Sequence, residues 1–495
     1  MSTPFSCSEC LPRRGPTIPS ETGCVSILLN KINILKRIEN VHMTTTNPAK
    51  TPSEARTLLL LAWPISAAQL ALMFLNLVDT AVVGRHSVEA LAGASLGRNI
   101  AWPAQALAIG IAIVPETLAS QALGAKRPGE AWSSYVAAVR LSLLAAPLSI
   151  AITFGILASL PAAGVSPEIV REARAFVWGF LPSQIAFGIF SASRAFLQAH
   201  GAVKHGLMAA LAGNVVNAVA CVCLVLGDDG LASMHLPRMG FAPLGAFGAG
   251  LAASIGTVFL AAWMMVAAYT HRSPVAPDER IELRLVASLG LPLGLQLFAE
   301  MGAFSLASVL AARFGAQATA ANQICLGLAS FTFMGALGIS GGAAVRVGHA
   351  VGERADARHR GRVAIVIGSS LMLGGSLLFA GAPMFLARLF TADRVVIELA
   401  VSLLRIAALF QFFDGMQVVS AGALRGIGDV RFPLLANLFA HWVVGLPSAW
   451  FFAQYMHLGV RGLWYGLSLG LFTAAVLLAT RFEALSKLPV RRIGT

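Results

Sequence analysis

Charge is scarce in this chain. Asp, Glu, Lys and Arg make up 12% of its 495 residues, where soluble domains carry roughly 25%. With 57% of the residues hydrophobic, a water-soluble fold could not cover its surface with polar groups, so the excess must face lipid. After residue 53 no stretch is long or polar enough for a separate soluble domain. The six cysteines form no ligand set. Cys7 and Cys10 lack a second pair and a nearby His, which argues against zinc. Cys221, Cys223 and Cys325 sit in apolar segments, where cysteine acts as a small apolar residue. There is no phosphate-binding loop, no His-Glu-x-x-His and no Gly-x-Ser-x-Gly elbow. The chain therefore does not read as an enzyme, and no cofactor is expected. Any work it does must draw on an ion gradient or on the substrate's own gradient. The net charge of +13 comes with no basic stripe interleaved with aromatics, so no nucleic-acid partner is expected. The positive residues fall between apolar runs and read as loops at an anionic membrane surface.

What the chain has is apolar runs of membrane-spanning length; about 20 residues cross the lipid core. Twelve are predicted, at 57–82, 95–120, 131–157, 173–198, 204–227, 244–269, 284–311, 319–346, 361–387, 396–423, 432–455 and 459–482. Before them, residues 1–53 are polar and rich in Ser, Thr and Pro, and no signal-peptide core is visible. The tail is expected to be disordered or to form a short amphipathic helix around Val25–Ile38. Met43 would make an ordinary start, so residues 1–42 are expected to be dispensable. Lys and Arg are denser in the loops that share a side with both ends, such as Lys126, Arg127, Arg354 and Arg360, than in the opposite loops, which hold Arg85, Arg98, Arg171 and Arg313. This bias predicts that both termini are cytoplasmic.

The chain also repeats itself. Pro64 matches Pro292, 228 residues later; Gln121-Ala-Leu-Gly124 matches His349-Ala-Val-Gly352 at the same offset; Arg194-Ala-Phe-Leu-Gln-Ala-His-Gly201 matches Ala421-Gly-Ala-Leu-Arg-Gly-Ile-Gly428 at 227. Three ordered matches at nearly one offset imply duplication. The predicted fold is all-α and integral to the membrane: twelve transmembrane helices in two six-helix lobes, related by a pseudo-two-fold axis along the membrane normal. Residues 54–270 form the amino lobe, 271–284 a cytoplasmic linker, 285–483 the carboxyl lobe and 484–495 a tail. The cleft between the lobes is the natural path, and because both halves lie in one chain a monomer suffices.

Ionisable groups at lipid depth are costly and usually functional. Asp79 falls in the first predicted helix, Glu300 in the seventh and Asp414 in the tenth, while Glu116 lies near the end of the second and is expected to reach the interface. The repeat counterparts of the first three are Ala307, Leu72 and a position near Phe187, so the acids are not symmetric packing features. A buried carboxylate can take up a proton near neutral pH; a carboxylate pair with amide oxygens can hold Na+, here at Glu300 and Asp414. A structural hydrogen bond is the plainer alternative. Gln69, Asn214, Asn217, Gln296, Gln323 and Gln417 are candidate substrate or ion contacts, although buried amides more often join helices. Phe410, with Phe298, Phe304 and Met301, could line a pocket for apolar cations. His441 and Trp442 are ambiguous. Pro64 and Pro292 are expected to kink their helices.

At these residues the sequence resembles the multidrug and toxic compound extrusion family, MATE, in its NorM-like branch. The likeness runs from about Leu58 to Leu485. It is carried by Pro64, Gln69, Asp79-Thr80, Val83-Gly84, Ala90-Leu91-Ala92 and Gln121-Ala-Leu-Gly124-Ala. In the second half it is carried by Pro292, Glu300, Ala320-Ala-Asn-Gln323-Ile, Val345-Arg-Val-Gly348, Asp414-Gly-Met-Gln417, Ala423-Leu-Arg-Gly426-Ile-Gly-Asp429 and Trp442-Val-Val-Gly445-Leu-Pro447. The resemblance implies an exporter of small organic cations or drugs in a bacterial inner membrane, working by antiport with Na+ or H+. It implies cation binding at Glu300 and Asp414 and coupling at Asp79. Cys221 stands where some branches carry an acid, and Phe410 where some carry Tyr, so the choice between Na+ and H+ stays open. A flippase for a lipid-linked precursor is the first alternative, a membrane-embedded enzyme the second. A flippase would want a basic central cavity, whereas the buried charges picked out here are acidic.

Overall fold

A computed structural model describes residues 53–162, 164–233, 237 and 240–494. The expectations for the tail before residue 53 fall outside them. The amino half contains α1 (Glu54–His86), α2 (Val88–Ala104), α3 (Ala106–Ala112), α4 (Val114–Gly124), α5 (Pro128–Ser159), α6 (Pro167–Ala199), α7 (Lys204–Leu226), α8 (Asp228–Ser233) and α9 (Gly245–Tyr269). A short 3-10 turn at Pro277–Glu279 lies in the linker. The carboxyl half contains α10 (Leu283–Ala312), α11 (Ala316–Glu353), α12 (Ala357–Gly381), α13 (Pro383–Arg388), α14 (Arg394–Ile427), α15 (Arg431–Leu438), α16 (Leu446–Gln454) and α17 (Val460–Leu485), with a π turn, Phe439–Gly445, joining α15 to α16. No strand occurs among the described residues. Among the described residues twelve helical stretches are long and apolar enough to span a membrane, and large apolar side chains such as Leu144, Leu377 and Phe385 stand exposed on the bundle, as lipid-facing residues do.

The number of spans agrees with the sequence reading; several boundaries do not. In place of one second helix over 95–120 there are three segments in series, with breaks at Gln105 and Ile113. Pro103 and Pro115 flank those breaks, and neither has an N–H to continue a helical ladder. The first helix runs on through Arg85, which the sequence reading placed in a loop. Arg98 was placed there too, but it lies inside α2, whose start is fixed by Ser87 accepting the Ala90 N–H at 3.0 Å. Span nine stops at Gly381 and span eleven contains the π turn. Pro64 and Pro292 lie within α1 and α10.

The lobes meet along a seam on the side of the chain ends. The start of α1 lies along the end of α11, where Ser66 Oγ donates to the Gly335 carbonyl at 3.1 Å and Arg346 grips Glu54 through two hydrogen bonds of 2.7 and 2.6 Å. Helix α3 crosses the start of α10 at Gly110 and Gly294, so closely that a Cβ on Gly110 would lie 2.1 Å from the Gly294 nitrogen. Among the described residues, every hydrogen bond between the lobes is on this side, including those of Thr117 and Gln121 on α4 to the end of α14. Small residues allow this close approach where no water is being squeezed out between apolar faces. Gly110→Val is expected to force α3 and α10 apart and to cost about 1–3 kcal/mol as overpacking does. A lowered unfolding midpoint in detergent, followed by tryptophan fluorescence, would show it.

Candidate functional site

The sequence-selected acids fall into two separate interiors, one per lobe. Asp79 lies about 38 Å along α1 from Glu54, at 1.5 Å per residue, toward the end remote from the seam. It is fully buried. Its Oδ2 accepts from Arg98 Nη2 at 2.9 Å and its Oδ1 from Asn217 Nδ2 at 2.6 Å. The Cys221 thiol also sits beside the carboxylate. Arg98 in turn donates to the Asn76 side chain at 3.0 Å and lies over the Phe176 ring. Arg98, expected in a loop, instead forms the ion pair with Asp79. The Ser87 cap and the apolar run through Ala104 were the available signal that a helix would carry Arg98 inward. Cys221 therefore borders a carboxylate that already has a cation.

In the carboxyl lobe the arrangement differs. Asp414, near the middle of α14, is buried, and Glu300 on α10 lies within electrostatic reach of it. Gln417, one turn after Asp414, lies within hydrogen-bonding reach of Glu300. Gln417 Nε2 is spent on Asn437 Oδ1 at 3.0 Å, while its Oε1 finds no protein partner. Gln411, one turn before Asp414, is fully buried with neither amide atom paired. The π turn brings two residues the sequence left ambiguous to this place. Trp442 Nε1 donates to the Ala299 carbonyl at 3.0 Å, next to Glu300, and His441 faces Glu300. His441 Nδ1 lies 3.0 Å from the Asn437 carbonyl, which can only accept, so Nδ1 carries the proton and Nε2 is left without a partner. π turns recur at functional sites because they re-aim side chains within a helix. The aromatic wall is Phe304, set edge-on to Phe410 at 6.0 Å and to His441 at 5.9 Å, with Phe410 against Trp464 at 5.3 Å.

A buried and a half-buried acid beside unpaired amide and imidazole atoms are a donor set for a hard cation or a proton. Among the described residues no three His, Cys, Asp or Glu side chains gather at metal-holding spacing. A cation here would rest on the two carboxylates with Gln417 and Gln411 oxygens.

The remaining candidates scatter. Asn214 Nδ2 donates to the Ala71 carbonyl at 2.8 Å and ties α7 to α1, a packing role. Gln69 accepts from Arg194. Gln296 is buried on α10, and Gln323 is exposed at the start of α11. Glu116, expected at the interface, is instead 5% exposed inside the seam, with Oε2 3.3 Å from Arg425 Nε of the other lobe. The interior thus holds arginines as well as acids, contrary to the purely acidic expectation.

The family model MatE matches the chain twice, over residues 64–223 and again over 292–451. The chain belongs to the MatE family. It is a transporter, not an enzyme. The two MatE matches begin 228 residues apart, the offset of the internal repeat, so the duplication read from three short motifs is a property of the whole chain. The probable multidrug resistance protein NorM of Xanthomonas axonopodis pv. citri is 32% identical over 90% of this MatE chain and 98% of its own length. That of Deinococcus radiodurans is 35% identical over 88% and 98%. The multidrug resistance protein NorM of Burkholderia vietnamiensis is 33% identical over 86% and 92%. Among solved structures, the eukaryotic MATE transporter AtDTX14 superposes with a TM-score of 0.77 at 19% identity, covering 88% of this chain and 97% of that one. An outward-facing multidrug resistance MATE transporter gives 0.75 at 20%, covering 88% and 97%. The fold is the two-lobed MatE bundle of twelve membrane-spanning helices, in a multi-pass membrane protein.

Proposed function

We propose that this MatE-family chain is a secondary multidrug exporter that expels small organic cations or drugs in exchange for inward-moving Na+ or H+. The observation that carries the reading is the carboxyl-lobe interior, where Glu300 and Asp414 lie together among Gln411, Gln417 and His441 atoms that no protein group satisfies. The names of the bacterial relatives support drugs as cargo. The Lys and Arg bias supports cytoplasmic termini in a bacterial inner membrane, which makes the seam the cytoplasmic closure and this an outward-facing state. In that state an external cation binds the Glu300–Asp414 pair and favours release of the cationic cargo. The lobes then rock, the ion leaves inward and new cargo enters. Each step requires the ligand to bind the two states unequally. In the amino lobe, protonation of Asp79 would release Arg98, a second place where proton and shape are linked. One chain holds both halves of the cycle, so a monomer suffices.

The arginines do not make a basic cavity of the kind a flippase for an anionic lipid precursor would want. Arg98 is paired with Asp79 and Arg425 with Glu116, and Arg194 lies between Gln69 and Glu116. The test is efflux of a fluorescent organic cation from proteoliposomes under a Na+ gradient alone and a pH gradient alone. One of the two should drive efflux. Efflux under neither gradient would overturn the reading.

A further inference from the structure

We propose that Glu116 is a gating residue, whose carboxylate holds the chain-end side of the seam shut through Arg425 and passes to Arg194 when the lobes part. The inference rests on the alternation of the lobes proposed above, and it concerns an acid to which that mechanism gives no part.

Glu116 opens helix α4, deep in the seam. Its Oε2 lies 3.3 Å from Arg425 Nε, at the end of α14 in the opposite lobe. Next to it Thr117 Oγ1 donates to the Arg425 carbonyl at 3.0 Å, and one turn on Gln121 Nε2 donates to the Gly426 carbonyl at 2.9 Å. The opposing helix α11 is cut to fit the carboxylate, since a Cβ on Gly341 would stand 3.0 Å from Glu116 Oε1. The contact is made to come apart. Arg425 Nε has no hydrogen-bond acceptor, so charge alone joins the pair. Other ion pairs also bridge the seam, Glu54 with Arg346 and Glu130 with Arg492, each with one member close to an end of the described chain.

Separating the lobes would strand Glu116 as an uncompensated buried charge, which is strongly unfavourable. A second cation is already waiting on its own lobe. Arg194 on α6 acts electrostatically on Glu116, yet its hydrogen bond goes to Gln69 and its guanidinium sits 5.5 Å from the Phe190 ring centre. The carboxylate therefore has one arginine partner in each state. Neither member of the cross-lobe pair is repeated in the other half: Glu116 corresponds to Ala344, and Arg425 to Gln198. Scaffold contacts of a duplicated fold would be expected twice.

The test reads the lobes directly. Spin labels are placed at Lys204→Cys and Lys487→Cys, exposed positions on the chain-end side of the two lobes, with the native cysteines replaced by alanine, in the full chain in lipid nanodiscs. Glu116→Gln and Arg425→Gln should each raise the long-distance population relative to the short one by about tenfold. The two together should recover part of the short population, because no charge is then stranded. Arg194→Gln should act in the opposite sense and lower the long-distance population, which a merely structural role for the cluster would not produce. Glu116→Asp, which keeps the charge and shortens the reach, should give a smaller shift in the same direction as Gln, and stands in should the Gln variant not fold. Unchanged distributions in the Glu116 and Arg425 variants would overturn the gate. If the unsubstituted labelled protein keeps one distance with or without Na+, acid or organic cation, the alternating mechanism itself fails.

Discussion

Glu300→Gln and Asp414→Asn are each expected to cut ion-driven efflux by about two orders of magnitude, near the upper end of the coupling free energies found between sites, while folded protein persists in the membrane. Amides keep the shape of the side chains and can still hydrogen-bond, so α10 and α14 should pack as before. On the proposed mechanism they would lose the charge that attracts Na+ and the site that takes up a proton. The two acids sit within electrostatic reach of each other, so either loss leaves the other without the partner that defines the site. Facilitated movement of cargo down its own gradient should survive, because the aromatic wall of Phe304, Phe410 and Trp464 is untouched. Dye efflux from vesicles, with and without the driving gradient, separates the two. Native-like gradient-driven efflux in both variants would remove Glu300 and Asp414 from the mechanism.

Arg98→Gln carries the second large expectation, and its effect falls on stability. It leaves Asp79 fully buried without its cation. Breaking a buried ion pair from one side costs about 3–5 kcal/mol, and the lower end applies because the Arg98 side chain is 22% exposed and partly screened. Asp79→Asn alone should cost less. Arg98 can then turn toward solvent and Asn76, and Asn217 can still hydrogen-bond the new amide oxygen. Combining the two substitutions should return most of the stability lost in Arg98→Gln. Unfolding in detergent, followed by tryptophan fluorescence, measures all three. A single Arg98→Gln variant as stable as the unsubstituted chain would mean that Asp79 is not held by this pair.

The large features were legible because each rests on a repeating chemical pattern. Apolar runs of spanning length give the helix count, and the 228-residue offset gives the duplication. The misses came where one residue's environment depends on another distant in sequence. Pro103 and Pro115 are visible breakers, yet the division of the second span into α2, α3 and α4 depends on how α3 fits against α10 at Gly110 and Gly294. The π turn at Phe439–Gly445 left no clear local signature beyond Gly445 and Pro447, and it is what turns His441 and Trp442 toward α10. Arg98 and Arg425 read as loop charges, and Arg194 drew attention only as part of the repeat, because nothing adjacent in sequence names their partners. Their acidic neighbours come from other helices.

By itself the sequence determined that the chain spans the membrane many times, that it consists of two like halves, and that very few acids lie at lipid depth. Hydropathy and repetition are carried by single residues and by spacing, so they survive without coordinates. Only the tertiary structure decided which acids have cations and which do not. Charge pairing at lipid depth is set by distances of a few ångströms between helices far apart in sequence. Asp79 and Glu116 prove to be matched with arginines, while Glu300 and Asp414 share an interior whose amides still lack partners.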